Sequence, residues 1–197
     1  MALVSGCGGS SRQNADEPEK TYTVSIPHAS FPAKQSIVHP VTMTVAVHNT
    51  SAATIPNVAV SVDSFEYTSS YPGLADRKKP IWVVETGPGA VAKMPVESES
   101  VSPPGGGQTA YVNTWALGSL PPGHTSTFRW HLMPIKTGTY TVRYTVAAGL
   151  AGHAKARLAD GSIPHGQFTA TITQPPPPTH VNPSTGQVEP GSYQSTL

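Results

Sequence analysis

Histidine and methionine supply most of the metal-binding potential of this sequence. Imidazole and thioether groups together are the ligands that a copper ion prefers. The eight histidines are His28, His39, His48, His124, His131, His153, His165 and His180. No two of them have the H-x-H or H-x3-H spacing of a local metal site, and there is only one cysteine. The spacing indicates histidines on polar faces and in turns, so no metal site is predicted. A copper site assembled from distant strands, with Met43, Met94 or Met133, is the alternative.

Residues for catalysis show no supporting pattern. The G-x-S-x-G turn of a serine nucleophile is absent. Glu97 and Glu99 could form a pair of carboxylates, but serines flank them in a polar stretch, which favours solvated side chains. The glycines 105–107 lack the following Lys-Ser/Thr of a phosphate loop. We therefore predict no catalytic residue and no cofactor.

Cys7 has a neighbourhood suited to lipidation. Leu3-Val4-Ser5-Gly6-Cys7 resembles a bacterial lipobox, and the polar residues 8–16 would then form a flexible tether. A thiol accepts the diacylglycerol, and small neighbours give a peptidase access to the bond. Only Met1 to Val4 precede Ser5-Gly6-Cys7, whereas an export signal has a basic region and an apolar stretch of about 7–15 residues. Two interpretations follow. Either the natural translation start lies upstream, or the resemblance to a lipobox is a coincidence and Cys7 is a free thiol on a disordered tail.

The composition is typical of an exported β-protein. Charged residues make up 12% of the chain and hydrophobic residues 37%, while 21 prolines and 18 glycines favour turns over helix interiors. The formal net charge of +1 provides no strong field to attract nucleic acid. A single cysteine excludes an intrachain disulfide.

The segment Tyr111–Ala147 shows the clearest secondary-structure pattern. Apolar and polar residues alternate over 125–132 and again over 139–146, with turn residues between the two runs. A period of two with one apolar face predicts half-buried antiparallel strands. The apolar positions are Phe128, Trp130, Leu132, Tyr140, Val142, Tyr144 and Val146.

Further strands are predicted on both sides of this segment. They cover 21–26, ending at Pro27, then 41–47, 58–62, 81–84 and 168–173. Residues 27–40 form an edge or connector, and Leu150–Leu158 is predicted to make two turns of helix because its residue types propagate helices well. Four consecutive prolines, Pro175–Pro178, end the domain because they cannot donate to a strand ladder.

This pattern predicts an all-β fold. We expect an immunoglobulin-like antiparallel β-sandwich of seven to eight strands, with a closed barrel as the alternative. The predicted organisation is a lipobox and tether over 1–20, the sandwich over 21–174 and a proline-rich disordered tail over 175–197.

Two segments carry a family resemblance. Val41–Ser51 resembles a strand and Asn-Thr turn of the bacterial cell-adhesion-related (CARDB) domain and its immunoglobulin-like relatives. Trp115–Thr125, followed by Gly138-Thr139-Tyr140-Thr141-Val142, resembles their run from a Leu-Pro-Gly turn into alternating strands. The resemblance covers about half of the chain, in turn and core residues, and implies a surface-exposed interaction or spacer module. Phe168–Thr173 stands where that family has an acidic segment, and the 63–110 insertion is unlike it.

A ligand-contact region is a further hypothesis. Tyr67, Tyr71 and Trp82 flank the long 63–110 loop and could stack on a sugar or a partner's apolar patch if they were exposed together. Trp82 lies within an apolar run, which favours the core for that residue.

The sequence therefore favours a non-enzymatic lipoprotein module for interaction, adhesion or spacing. It is predicted to be extracytoplasmic, anchored to the bacterial membrane through lipid on Cys7, with a protein or cell-wall partner and no nucleic acid. The alternative is a small-ligand or metal-binding lipoprotein that uses the 63–110 loop.

Overall fold

Strands account for all regular structure in residues 17–71, 78–89, 113–175 and 179–190, which are the residues that the computed structural model describes. In chain order they are β1 (Lys20–Ser30), β2 (Lys34–Ser36), β3 (Val41–Asn49), β4 (Ala59–Val62), β5 (Glu66–Thr68), β6 (Lys78–Pro80), β7 (Trp82–Thr86), β8 (Thr114–Ala116), β9 (Thr125–Pro134), β10 (Gly138–Ala147), β11 (Ala154–Arg157), β12 (His165–Thr173), β13 (Thr179–Val181) and β14 (Val188–Pro190). No helix of these residues is long and apolar enough to cross a membrane.

Two five-stranded sheets enclose the core. One sheet has the order β11-β1-β3-β9-β7 and the other β2-β12-β10-β4-β8. Met43 and Trp130 from the first sheet are fully buried in the same cluster as Val60 and Val142 from the second. The β-sandwich predicted from the sequence is confirmed.

The predicted two-residue periodicity determines the faces of the central strands. Strands β3 and β9 pair from Val41 opposite Leu132 to His48 opposite Thr125. Their inward side chains are buried, while Thr42 and Arg129 are exposed on the outer face. Alternation places every second side chain in the core, because successive residues of a strand point to opposite faces.

Strand β1 differs from the sequence prediction at its end. It does not stop at Pro27 but continues to Ser30. Its register against β3 shifts by one residue, since Ser25 pairs with His48 and His28 pairs with Ala46. Pro27 therefore lies in a β-bulge, where its missing N–H leaves no gap in the ladder.

Two edge pairs are parallel, whereas the sequence predicted antiparallel pairing throughout. Strand β11 runs parallel to β1, and β2 runs parallel to β12. Parallel neighbours need a long connection. Here most of the sandwich lies between the paired strands in sequence, so no crossover helix is required.

The helix predicted over Leu150–Leu158 was wrong. Residues 154–157 form strand β11, and residues 150–153 form a bend in the chain. Gly152 has φ of +83° within this bend, a conformation that a helix excludes. Residues 154–157 instead pair with β1, so their backbone groups belong to the sheet ladder.

Residues 179–190 also differ from the expected disordered tail. Strands β13 and β14 form a two-stranded hairpin in which Val181 lies opposite Val188.

Candidate functional site

Trp82 lies in the core and not at a ligand-contact surface. Its side chain is 1% exposed, and its indole Nε1–H donates to Gln35 Oε1 at 2.7 Å. Its ring also packs against Phe31 and Tyr140, with centroid distances of 5.6 and 5.9 Å. An exposed stacking surface that includes Trp82 is therefore ruled out.

The two tyrosines of that hypothesis lie in different environments. Tyr67, on β5, is partly buried against the core, and Lys136 Nζ lies 4.4 Å from its ring centroid. Tyr71 is 66% exposed. The fold therefore does not combine Tyr67, Tyr71 and Trp82 in one exposed surface.

The histidines are dispersed over the surface. Three bond hydroxyl side chains on the outer face of the first sheet: His28 with Ser30, His48 with Thr125 and His131 with Thr42. His39, His124 and His165 contact the backbone carbonyl two residues before them, and His153 and His180 approach Glu19 and Glu189. Within the described ranges no three His, Cys, Asp or Glu side chains group closely enough to hold a metal ion.

Several residues named in the sequence analysis lie outside the described residues. They are Cys7, Met94, Glu97, Glu99 and the glycines 105–107. Residues 72–77 and 90–112 contain most of the long 63–110 loop and lie outside them as well.

A carboxylate just before β1 closes a loop at one end of the sandwich. The Glu17 carboxylate accepts hydrogen bonds from the backbone N–H groups of Leu150, Ala151 and Ala154, each at 2.7 Å. Backbone N–H groups that converge on one anion form a nest. This arrangement, the Glu17 clamp, fastens the polypeptide that enters β1 to the loop that precedes β11.

The electrostatics of the clamp favour an ionised carboxylate. Burial alone would raise the pKa of Glu17, but hydrogen bonds from backbone N–H groups in residues 150–154 outweigh it and hold the pKa below the ordinary value of 4.5. Gly149 completes the fit, because a Cβ at that position would overlap the Glu17 carboxylate. Sequence analysis assigned Glu17 to the 1–20 tether, and nothing in the local pattern distinguishes it from Glu19.

A shallow depression lies beside the clamp. It has a volume of about 320 Å³ and is lined by Glu19, Lys20, Thr21, Gly152, His153 and Lys155. His153 Nδ1 lies 3.4 Å from Glu19 Oε1 at its rim. The lining is polar and of mixed charge, whereas small-molecule sites are mostly lined by apolar side chains.

Asn49 joins the two segments that carry the family resemblance. Its side chain is fully buried, and its Nδ2 group donates to the carbonyls of Ala53 and Leu120 at 2.9 and 2.8 Å. Its Oδ1 atom accepts hydrogen bonds from the N–H and hydroxyl of Ser51. The Asn-Thr-Ser turn was recognised in the sequence, but the partner Leu120, 71 residues away, was not.

The sandwich has its chain entry and exit at opposite ends. Strand β1 begins where Lys20 lies opposite Ala154, and β12 ends where Thr173 lies opposite Ser36. The end with Glu17 and residues 149–154 is termed the N-terminal pole. The end with residues 36–39 and 134–138 is termed the C-terminal pole.

Comparison with known proteins finds no matching family model and no matching curated protein. Solved structures with a similar fold include a CARDB domain from Pyrococcus furiosus. Its solution structure is 13% identical with a TM-score of 0.43, over 78% of this chain and 94% of that one. A crystal structure of the same domain with di-metal ions is 14% identical with a TM-score of 0.42, over 78% and 93%.

The two packed five-stranded sheets make the fold an immunoglobulin-like β-sandwich. A fragment of Escherichia coli alpha-2-macroglobulin is also similar, at 14% identity and a TM-score of 0.42, over 85% of this chain and 21% of that one. These likenesses are too distant to carry any argument about activity. The assignment of the sandwich rests on its two sheets, and its function is argued from its own residues.

Proposed function

We propose that this protein is a non-enzymatic spacer module of the bacterial cell envelope. A lipid on Cys7 holds it to the membrane, and the sandwich carries the residues after β12 away from the bilayer. The observation that supports this role is the placement of chain entry and exit at opposite poles.

The path of the chain matches that role. Strands β1 and β2 traverse the sandwich from Lys20 at one pole to Ser36 at the other. Seventeen residues at about 3.3 Å each give an upper limit of about 55 Å for this traverse. A chain anchored at one pole therefore presents its other end at the far end of the sandwich, at most about 5.5 nm away.

The Glu17 clamp would determine which end faces the membrane. Nine residues separate Cys7 from Glu17. Even fully extended, this tether spans only about 35 Å. Because Glu17 is bonded to residues 150–154, the tether leaves from the N-terminal pole, and that pole would lie nearer the bilayer.

The small-ligand or metal-binding alternative gains no supporting observation from the described residues. Trp82 is buried, and Tyr67 contacts Lys136. The spacer proposal is therefore preferred.

The anchor is tested by intact-mass analysis of protein from the membrane fraction of its native host. We expect a lipid mass increment on a peptide that begins at Cys7. A Cys7→Ser variant is expected to lose both the increment and the membrane association. Wild-type protein without lipid in the soluble fraction would contradict the proposal.

Orientation is tested with lipidated protein in vesicles that contain acceptor-labelled lipid. Lipidation consumes the Cys7 thiol, so a donor dye can be attached at Ser184→Cys in the hairpin or, as the matched site, at Ile163→Cys just before β12. We expect clearly weaker energy transfer from position 184. Equal transfer from both positions would show that the sandwich does not act as a spacer.

A further inference from the structure

The C-terminal pole carries an exposed apolar residue in a strained backbone conformation. Val38 has φ of +64° and is 67% exposed. The left-handed region is strongly disfavoured for a β-branched residue, and such strain concentrates at functional sites. The strain is maintained because Val38 N–H donates to Pro134 O at 2.9 Å and Ile37 N–H donates to Thr173 O at 3.0 Å.

Two further apolar side chains lie around the same strand end. Ile135 follows Pro134, donates its N–H to Ile81 O and is 46% exposed. Val83 lies on edge strand β7, opposite Met133 of β9, and is 41% exposed. Val38, Val83 and Ile135 are termed the pole patch.

A second unpartnered apolar surface lies on the C-terminal hairpin. Val181 and Val188 face each other across β13 and β14 and are 61% and 68% exposed. A two-stranded hairpin is only marginally stable in water unless another element covers it. The hairpin therefore presents two apolar side chains, and it would be stabilised by an apolar partner that covers them.

We propose that the Val181–Val188 pair packs on the pole patch of a second copy of this chain. Each hairpin engages the other copy, which gives a closed twofold dimer. The inference does not depend on the lipid anchor. It identifies an interaction surface that the spacer role alone does not require.

The exposure of both surfaces favours a second copy over the chain's own patch. Strand β12 ends at Thr173, beside Ile37 at the same pole, and the hairpin starts at Thr179. Val181 and Val188 are nevertheless 61% and 68% exposed and Val38 is 67% exposed, so the hairpin does not cover the patch of its own chain.

Charge and size are consistent with a weak, reciprocal contact. Lys136 follows Ile135 in the patch, and Glu189 follows Val188 in the hairpin, so the two surfaces carry opposite charges. Three patch residues and two valines give an interface below the roughly 1,200 Å² of stable complexes. The dimer is therefore concentration-dependent.

Dimer formation is tested by sedimentation equilibrium of the full chain from micromolar to millimolar concentration. The Cys7→Ser background prevents an adventitious disulfide. We expect a reversible monomer–dimer equilibrium. The double variant Val181→Ser/Val188→Ser and the variant Val38→Gly should each weaken it at least about tenfold. Glycine tolerates the φ at position 38, so Val38→Gly removes the apolar group without harming the fold. Ile163→Ser, which alters a 51% exposed side chain elsewhere, is the matched control and should leave the equilibrium unchanged.

Cross-linking identifies the occupant of the patch. A chain with Val38→Cys is mixed with a chain with Val181→Cys, both in the Cys7→Ser background, and a disulfide-linked heterodimer is expected on oxidation. Three results would overturn the proposal: a monomer at every concentration, equal weakening by Ile163→Ser, or closure of the disulfide within one chain when both cysteines are placed together. A monomeric chain would leave the spacer role intact, and an unlipidated chain that dimerises would overturn only the spacer role.

Discussion

The indole Nε1–H of Trp82 donates to Gln35 Oε1 at 2.7 Å across the gap between the two sheets. Trp82 begins β7, an edge of the first sheet, and Gln35 lies on β2, an edge of the second. Gln35 Nε2 in turn donates to Pro32 O at 2.7 Å. A buried polar pair therefore joins the two sheet edges and places Trp82 in the core.

Replacement of Gln35 by leucine should destabilise the sandwich. It leaves a buried indole N–H without an acceptor, which costs about 1–3 kcal/mol in the free energy of unfolding. Urea denaturation followed by tryptophan fluorescence measures the loss. Lys34→Gln, an exposed neighbour, is the control, and adding Trp82→Phe to Gln35→Leu should recover part of the loss because the orphaned donor is removed. Equal stability of wild type and Gln35→Leu would contradict the role of this pair.

The Glu17 clamp should show energetic coupling between Glu17 and Gly149. Glu17→Gln weakens the charged hydrogen bonds to residues 150–154 and should lower the free energy of unfolding by about 1–2 kcal/mol. Gly149→Ala places a methyl group against the carboxylate and should cost a similar amount. For the double variant Glu17→Ala/Gly149→Ala, the loss in the free energy of unfolding should be smaller than the sum of the losses for Glu17→Ala alone and Gly149→Ala alone. The reason is that the overlap with the added methyl group disappears when the carboxylate is removed. Strict additivity would show that the two residues do not interact.

The contribution of the clamp should depend on pH in a defined direction. The pKa of folded Glu17 is lowered from 4.5, so its stabilisation is fully present above that pH and is lost as pH falls through the lower folded value. The stability difference between wild type and Glu17→Gln should therefore be constant near neutral pH and shrink below 4.5. Denaturant titrations of both proteins at several pH values measure this. A difference that grows on acidification would refute the assignment.

Asn49, which is buried, should be far more sensitive to substitution than Asn57, whose hydrogen bond is exposed. Asn49→Ala leaves the carbonyls of Ala53 and Leu120 without their side-chain donor and should cost about 2–3 kcal/mol in the free energy of unfolding. Asn49→Asp should cost at least as much, since a carboxylate oxygen would face those carbonyls. Asn57→Ala removes an exposed hydrogen bond to Gly118 N–H and should change stability by about 0.5 kcal/mol or less. Thermal unfolding of the three variants tests the ranking, and an equal effect of Asn49→Ala and Asn57→Ala would contradict it.

Local patterns predicted the central strands well. Met43, Val45, Phe128 and Trp130 are buried where two-residue alternation placed them. This succeeds because burial of one strand face imposes a period of two on the sequence itself. Helix propensity misled over 150–158, because residues 154–157 pair with β1, a strand more than 130 residues away in sequence, and Gly152 adopts a positive φ.

The sequence by itself determined which strand faces are apolar, where the main turns fall and the antiparallel pairing of the central strands. Only the tertiary structure decided the parallel edges, the hydrogen bond between Trp82 and Gln35, the Glu17 clamp and the strained exposure of Val38. Side-chain alternation is a property of neighbouring residues and is readable along the chain. A hydrogen bond or a strained loop depends on which distant groups the completed fold brings within about 3 Å of each other, and no local pattern encodes that.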